Sequence, residues 1–283
     1  MRIITRKKGQ KGYYYLQHSF RKGQRVITKE RYLGIRIPKD IDKIKGDFSK
    51  ELKKDLYAKL EKIKKSFQKE WADLPESVRE KEKEQISIAF TYNSNAIEGS
   101  TINLQEAREI IHEGIAPNKP LRDIKETEMH NKVFLELLKK KEKITNDLLL
   151  KWHKEIFGET KPDISGRYRH YLVRVGSYLA PDWRKVKPMM NNLIEFINKS
   201  RLNPVELAAR AHYNFESIHP FGDGNGRIGR LLMNHILWHA GYPLLIIEYK
   251  KRASYYLAFT KGSEGFVDYF LRRYLSAHRK RLR

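Results

Sequence analysis

The chain has 283 residues, enough for one large domain or for one domain with a small attachment. Its 58 Lys and Arg against 34 Asp and Glu leave a net charge of +24, and zero Cys excludes a disulfide framework and thiol chemistry. No apolar run approaches the ~20 residues of a membrane helix, and Met1-Arg2-Ile3-Ile4 lacks a signal peptide's sustained apolar stretch; the expectation is a soluble, cytoplasmic protein with no membrane partner.

Residues 1–37 read as a basic β-attachment. Residues 1–34 hold ten Lys or Arg against one acid, Glu30, a net of +9. Lys8-Gly9-Gln10-Lys11 is echoed by Lys22-Gly23-Gln24-Arg25, and Tyr13-Tyr14-Tyr15-Leu16 and Arg25-Val26-Ile27-Thr28 are rich in strand formers. Two Gly-containing turns between three strand-like runs predict a three-stranded meander. Basic charge with interleaved Tyr suits nucleic acid; it equally suits an acidic protein, or a cap on a helical core.

Pro38 ends the sheet region, and residues 38–84 read as a helical connector. Phe48, Leu52, Leu56, Leu60, Ile63, Phe67 and Trp71 recur every three or four residues, which predicts a long amphipathic helix. Its apolar stripe would pack on the core or on a partner copy in a homodimer. Ile86, Ala89, Phe90 and Ile97 then mark a helix face that Gly99 stops. Glu98 in that last turn faces the negative end of the helix dipole, so its placement asks for a cationic partner. Further helices are expected over Leu104–Glu113, Asp123–Lys140, Asn146–Phe157, Lys187–Asn198 and Phe266–His278, followed by a solvated basic tail at residues 279–283.

Residues 219–230 read His-Pro-Phe-Gly-Asp-Gly-Asn-Gly-Arg-Ile-Gly-Arg. Ile228, Leu231, Leu232, Ile236 and Leu237 continue it as a helix that Gly241 ends. A glycine-rich turn opening a helix offers unpaired N–H groups and the positive dipole end to an anion. His219 is a candidate general base, since imidazole titrates near neutral pH. Asp223 is a candidate ligand for Mg²⁺, which favours one or two carboxylates plus phosphate oxygens. Gly224, Asn225 and Gly226 would cradle phosphate, Asn225 through its side-chain amide, and Arg227 and Arg230 would grip the outer phosphates. The spacing Gly224-x-Gly226-x-x-Gly229 also fits a dinucleotide fingerprint. Leu207, Ala208, Ala211, Phe215 and Ile218, however, predict a helix rather than a strand before the loop. His235 and His239, at i and i+4, lack the further ligands that zinc requires and read as ordinary helix residues.

The stretch resembles the signature of the Fic family, His-x-Phe-x-(Asp/Glu)-Gly-Asn-Gly-Arg-x-x-Arg, at every specified position. The kinase-like Doc branch departs from Gly-Arg after the asparagine, and this chain does not. The resemblance covers roughly residues 85–275 and implies a mostly α fold: a helical core with a small β-hairpin flap, here preceded by the basic meander. It implies transfer of AMP from ATP, with Mg²⁺, to a Tyr, Ser or Thr hydroxyl of a target protein, with self-modification included. The residues it places at ATP are Phe221, Gly224, Asn225, Gly226, Arg227, Arg230, Tyr255 and Tyr256, with Arg230 on the γ-phosphate.

Gly166-Arg167-Tyr168-Arg169 resembles the segment leading into the flap. The flap is expected around Leu172, Val173, Arg174, Val175, Gly176 and Ser177, where a target segment would add as a strand. Leu244–Ile247 and Arg252 resemble the stretch after the signature helix. Ala180-Pro181-Asp182-Trp183-Arg184 departs from the usual proline-rich run. Ser94, Glu98 and Gly99 resemble the inhibitory motif (Ser/Thr)-x-x-x-Glu-(Gly/Asn), which implies that Glu98 meets Arg230 and restrains the enzyme. On this reading residues 85–278 form the catalytic domain. Two alternatives stay open: a de-adenylylating or bifunctional enzyme of the same fold, and a nucleic-acid-associated adaptor with a regulatory nucleotide site.

Overall fold

The computed structural model describes residues 1–22 and 25–283, and their side chains except those of residues 20–22, 25 and 50. The chain divides into two compact units, Met1–Lys59 and Leu60–Arg283.

In the first unit, strands β1 (Arg2–Lys8), β2 (Lys11–Lys22) and β3 (Arg25–Gly34) form an antiparallel meander in that order. Gly9, at φ 61°, turns β1 into β2. The turn at Gly23-Gln24 lies outside the described residues. Strand alternation sorts the side chains. Ile3, Tyr14, Leu16 and Leu33 pack with Ile41, Ile44, Phe48 and Leu52 from the first half of helix α1 (Ile41–Asp73). The opposite face carries Arg2, Arg6, Tyr13, Tyr15, Gln17 and Tyr32. Helix α1 starts well before the Phe48 expected from the apolar stripe, because Ile41 and Ile44 add a turn to it.

The second unit is helical. Its elements are the rest of α1, α2 (Glu76–Ile97), α3 (Leu104–Arg108), α4 (Leu121–Lys139), α5 (Asn146–Phe157), the hairpin β4 (Arg174–Val175) and β5 (Tyr178–Leu179), α6 (Val186–Lys199), α7 (Pro204–Ile218), α8 (Asn225–His239), α9 (Arg252–Phe259) and α10 (Gly262–Ala277). Helix α8 is buried from Asn225 to Leu237. It packs against α7, α4, α2 and α5, while α10 and α6 flank α7. Phe67 and Trp71 of α1 meet Trp238 of α8, with the two indoles edge-on at 5.3 Å.

Three sequence expectations change here. The helix expected over Leu104–Glu113 is α-helical only to Arg108 and continues as a π-turn over Glu109–Glu113, ended by Gly114 at φ 67°. Helix α10 begins four residues before Phe266, at Gly262. The basic tail is docked rather than solvated: Arg281 pairs with Glu70 at 2.8 Å and lies over the Phe67 ring, and Lys62 donates to the Leu282 carbonyl at 2.7 Å.

Candidate active site

The site is assembled where α7 gives way to α8. Asn203 caps α7 by accepting from Val205 N–H at 3.0 Å, with Pro204 in the first turn. His219 ends that helix in the left-handed region, φ 52°, where only this one non-glycine residue of those described lies. Such backbone is unfavourable for a side-chain-bearing residue and persists where surrounding contacts over-determine it. Arg169 provides many of those contacts. Its guanidinium, 4 % exposed, donates to the carbonyls of His219 at 2.8 Å, Tyr171 at 2.8 Å, Pro181 at 2.7 Å and Ile218 at 3.3 Å. Its backbone N–H donates to the Pro220 carbonyl at 2.9 Å.

His153, which the sequence reading passed over, holds the loop's other side. Its Nδ1 accepts from Gly166 N–H at 2.9 Å, so Nε2 carries the proton and donates to the Asp223 carbonyl at 3.0 Å. Its ring stacks on Phe221 at 3.9 Å between centroids. Burial, chiefly, lowers this histidine to about 4, so it stays neutral. Asn225 behaves differently from the sequence expectation. Its amide accepts from Phe221 N–H at 2.8 Å and donates to the Phe221 carbonyl at 2.9 Å, so it braces the loop from within. Phe221 is fully buried and serves as the loop's apolar anchor.

The two signature arginines are held apart in separate networks. Arg227 pairs with Glu126 of α4 and lies over the Phe157 ring at 4.3 Å. Glu126 also accepts from Lys161 at 2.6 Å, and Lys161 reaches on to Asp223 at 2.9 Å. Burial works to raise the Glu126 and Asp223 carboxyls, but their cationic neighbours outweigh it and leave both below the ordinary range. Arg230 is 1 % exposed. It donates to the Ser94 hydroxyl at 3.0 Å, the Ser94 carbonyl at 2.9 Å and the Glu98 carboxylate at 2.8 Å. Its Nη1 is buried with no acceptor.

Glu98 is the C-cap residue of α2, and Gly99, at φ 90°, turns the chain away. Its carboxylate sits against the first turn of α8, so close that a Cβ on Gly226 would collide with Oε1. An anion therefore already rests at this helix N-terminus and on Arg230, and that anion is a side chain of the same chain. Asn95, Glu98, Gly99, Ser100, Asp123, Glu126, Lys161, Asp223 and Arg227 help to line a cavity of about 110 Å³ beside it.

His219 is mostly buried. Burial lowers its pKa and Arg169 adds to this, while the Glu216 carbonyl, Glu98 and Asp223 oppose; the net direction is down. The imidazole is thus neutral at pH 7 and able to accept a proton. Glu216, buried one turn earlier, leaves Oε1 without a hydrogen bond. Burial, reinforced by Glu98 and opposed by Arg230, pushes its carboxyl up to about 8.

Tyr255 and Tyr256, adjacent in sequence, have different surroundings. Tyr255 is 2 % exposed, hydrogen-bonds to His212 Nε2 at 2.7 Å and packs among Phe259 and Phe266. Tyr256 donates to the Ile97 carbonyl at 3.0 Å, next to Glu98. His235 and His239 each bond a backbone carbonyl, of Glu142 at 2.8 Å and of Leu137 at 2.7 Å. The hairpin lies slightly further along the chain than expected. Its turn is Gly176-Ser177, with Gly176 at φ 58°, and its second arm is Tyr178–Leu179. Leu172, Val175 and Leu179 are exposed, and the Tyr178 hydroxyl ties the hairpin to the Ser217 carbonyl at 2.7 Å.

Residues 143–237 match the Fic/DOC family model. Protein adenylyltransferase Fic of Nematostella vectensis is 36 % identical over 189 residues, which are 64 % of this chain and 44 % of that protein. Protein adenylyltransferase fic-1 of Caenorhabditis elegans is 32 % identical over 204 residues, 67 % of this chain and 39 % of that protein. This chain thus spans less than half the length of these curated relatives. Among solved structures, a Fic domain containing signaling protein from Bacteroides thetaiotaomicron superposes with a TM-score of 0.68 at 24 % identity, over 81 % of this chain and 94 % of that one. Fic-1 from C. elegans gives 0.68 at 24 %, over 83 % and 72 %. They share the fold.

Proposed function

We propose, from the premise that this chain carries a Fic domain and belongs to the Fic/DOC family, that it moves AMP from ATP to a hydroxyl of a target protein and is restrained by its own Glu98. One observation carries this reading. The helix N-terminus and the buried Arg230 make an anion seat, and the Glu98 carboxylate occupies it at 2.8 Å. Withdrawing Glu98 would free Arg230 and uncover the first turn of α8 for the outer phosphate of a nucleotide.

In the transfer, a target hydroxyl oxygen bonds to the α-phosphorus as the bond to the β-phosphate oxygen breaks and pyrophosphate departs. Neutral His219 takes the hydroxyl proton. Arg227 and Arg230 balance charge on the phosphates, and the α8 dipole adds to this. Asp223 fits a Mg²⁺ ligand: its hard carboxylate is half-exposed at the cavity rim, and Lys161 Nζ at 2.9 Å already marks a cation position there. When bound, that ion would neutralise phosphate oxygens. The exposed hairpin would hold the target segment by strand addition.

The test is incorporation of α-³²P-labelled ATP into protein, with cell extract supplying targets. Glu98→Gly should raise the label at least tenfold, and adding His219→Ala should lower it about 10²–10⁴-fold. Equal label in wild type and a folded Glu98→Gly protein would remove the restraint. No label in any variant, with AMP released from a modified protein only when Glu98 is present, would reverse the direction of the reaction.

A further inference from the structure

The sheet of the first unit has one face covered by α1 and one face open. Along β1 the alternating positions Arg2, Arg6 and Lys8 lie on the open face, and Lys8 registers against Lys11 of β2. The single acid of residues 1–34, Glu30, is also on this face and is engaged by Arg6 and Gln17, both at 2.7 Å. Arg31 on the covered face pairs with Glu51 at 2.6 Å. Among the described side chains the open face therefore carries Arg2, Arg6, Lys8 and Lys11 against the one acid Glu30, while Lys7, Lys29 and Arg31 lie on the other face.

We propose that this open face binds duplex DNA by lying in its major groove. Charge sign calls for a polyanion, and strand spacing sets Arg6 and Lys8 ~7 Å apart and Arg2 ~13 Å from Arg6 along β1. Two adjacent strands at ~4.8 Å spacing make a ribbon that a major groove about 12 Å wide admits, and the third strand would lie toward its edge. The major groove of duplex RNA is too narrow to admit it. Single-stranded bases find no row of separate stacking platforms here, because the tyrosine rings lean on one another at tilted angles. Tyr15 and Tyr13 lie 5.2 and 6.3 Å from Tyr32, and the Arg6 guanidinium covers Tyr15 at 5.0 Å. Gln17 accepts from Arg2 at 2.8 Å and donates to Glu30 at 2.7 Å, and Ser19 and Thr28 bond each other at 2.8 Å, so base edges would have to exchange with these pairs.

The measurement is fluorescence anisotropy of the full chain with a labelled duplex of about 20 base pairs across about 50 to 200 mM salt. Wild type should bind with a steep salt slope. Replacing Arg2, Arg6 and Lys8 together by Ala should weaken binding at least tenfold and flatten that slope by about 2 to 3, near 0.9 per lost phosphate contact. Glu30→Gln, a change in the opposite direction, should tighten binding two- to threefold. An equal loss of charge at Arg279, Lys280 and Arg283 should leave both quantities nearly unchanged. The proposal falls if wild type does not bind the duplex at low salt, or if the tail variant loses as much as the sheet variant. It also falls if single-stranded RNA or poly-glutamate of equal charge binds as tightly as the duplex.

Discussion

In the unit from Leu60 onward, Arg227, Arg230 and Glu126 are all 5 % exposed or less, and each is locked to partners from other helices. In the unit from Met1 to Lys59, Arg6 and Glu51 are more than half exposed, and their ion pairs join neighbouring surface positions. The difference teaches what each kind of charge can do. A buried ion is costly unless its partners stay in place, so it fixes geometry. An exposed one is screened and exchangeable, so it contributes attraction without rigidity.

Three experiments break or sharpen this contrast. The largest effect should come from Glu126→Ala, which strips Arg227 and Lys161 of a shared buried carboxylate. Loss of about 3–5 kcal/mol is expected in a urea melt, and a loss under 1 kcal/mol would mean that the network does not hold the site. Glu216→Gln should be smaller and depend on pH. The folded carboxyl titrates at about 8 against an ordinary 4.5. Between these values the unfolded chain has released a proton that the folded one keeps, so wild-type stability falls as pH rises through that window. The variant should gain on wild type from pH 5 to 8.5, and a pH-independent difference would contradict the buried neutral acid. The smallest effect belongs to Arg31 and Glu51, whose coupling in a double-mutant cycle should be about 0.2–1 kcal/mol and vanish at high salt.

Much of the site was legible because its chemistry is consecutive. His219, Asp223, Gly224, Gly226, Arg227 and Arg230 stand within one turn and the helix that follows, and the Glu98 pairing with Arg230 came with the motif that includes Ser94. What escaped was contributed from a distance. His153, Glu126 and Lys161 come from segments 60 to 100 residues away in sequence, and no local period records that they converge. Glu126 did leave a trace: it shares a helix face with His130, Val133, Phe134 and Leu137, and an acid on an apolar face implies a buried cation. Asn225 and Tyr255 show the converse. Their residue types suit a ligand, but Phe221 and His212 already satisfy them. In the fold, apolar periodicity located the helices well. It did not reveal the π-turn at Glu109–Glu113, because α and π windings differ too little over five residues to leave a pattern.

The guanidinium of Arg169 has a consequence for how this molecule can diversify. Its acceptors Tyr171 and Pro181 stand at the two feet of the hairpin, while His219 and Ile218 belong to the turn that carries the imidazole. A planar group with one orientation thus pins the hairpin's feet and the His219 turn to a common frame. Beyond those feet the hairpin is exposed at Leu172, Val175 and Leu179 and moored through the Tyr178 hydroxyl on the Ser217 carbonyl. Its tip at Gly176-Ser177 can therefore change in length or sequence with little effect on the frame below, provided Tyr178 is kept.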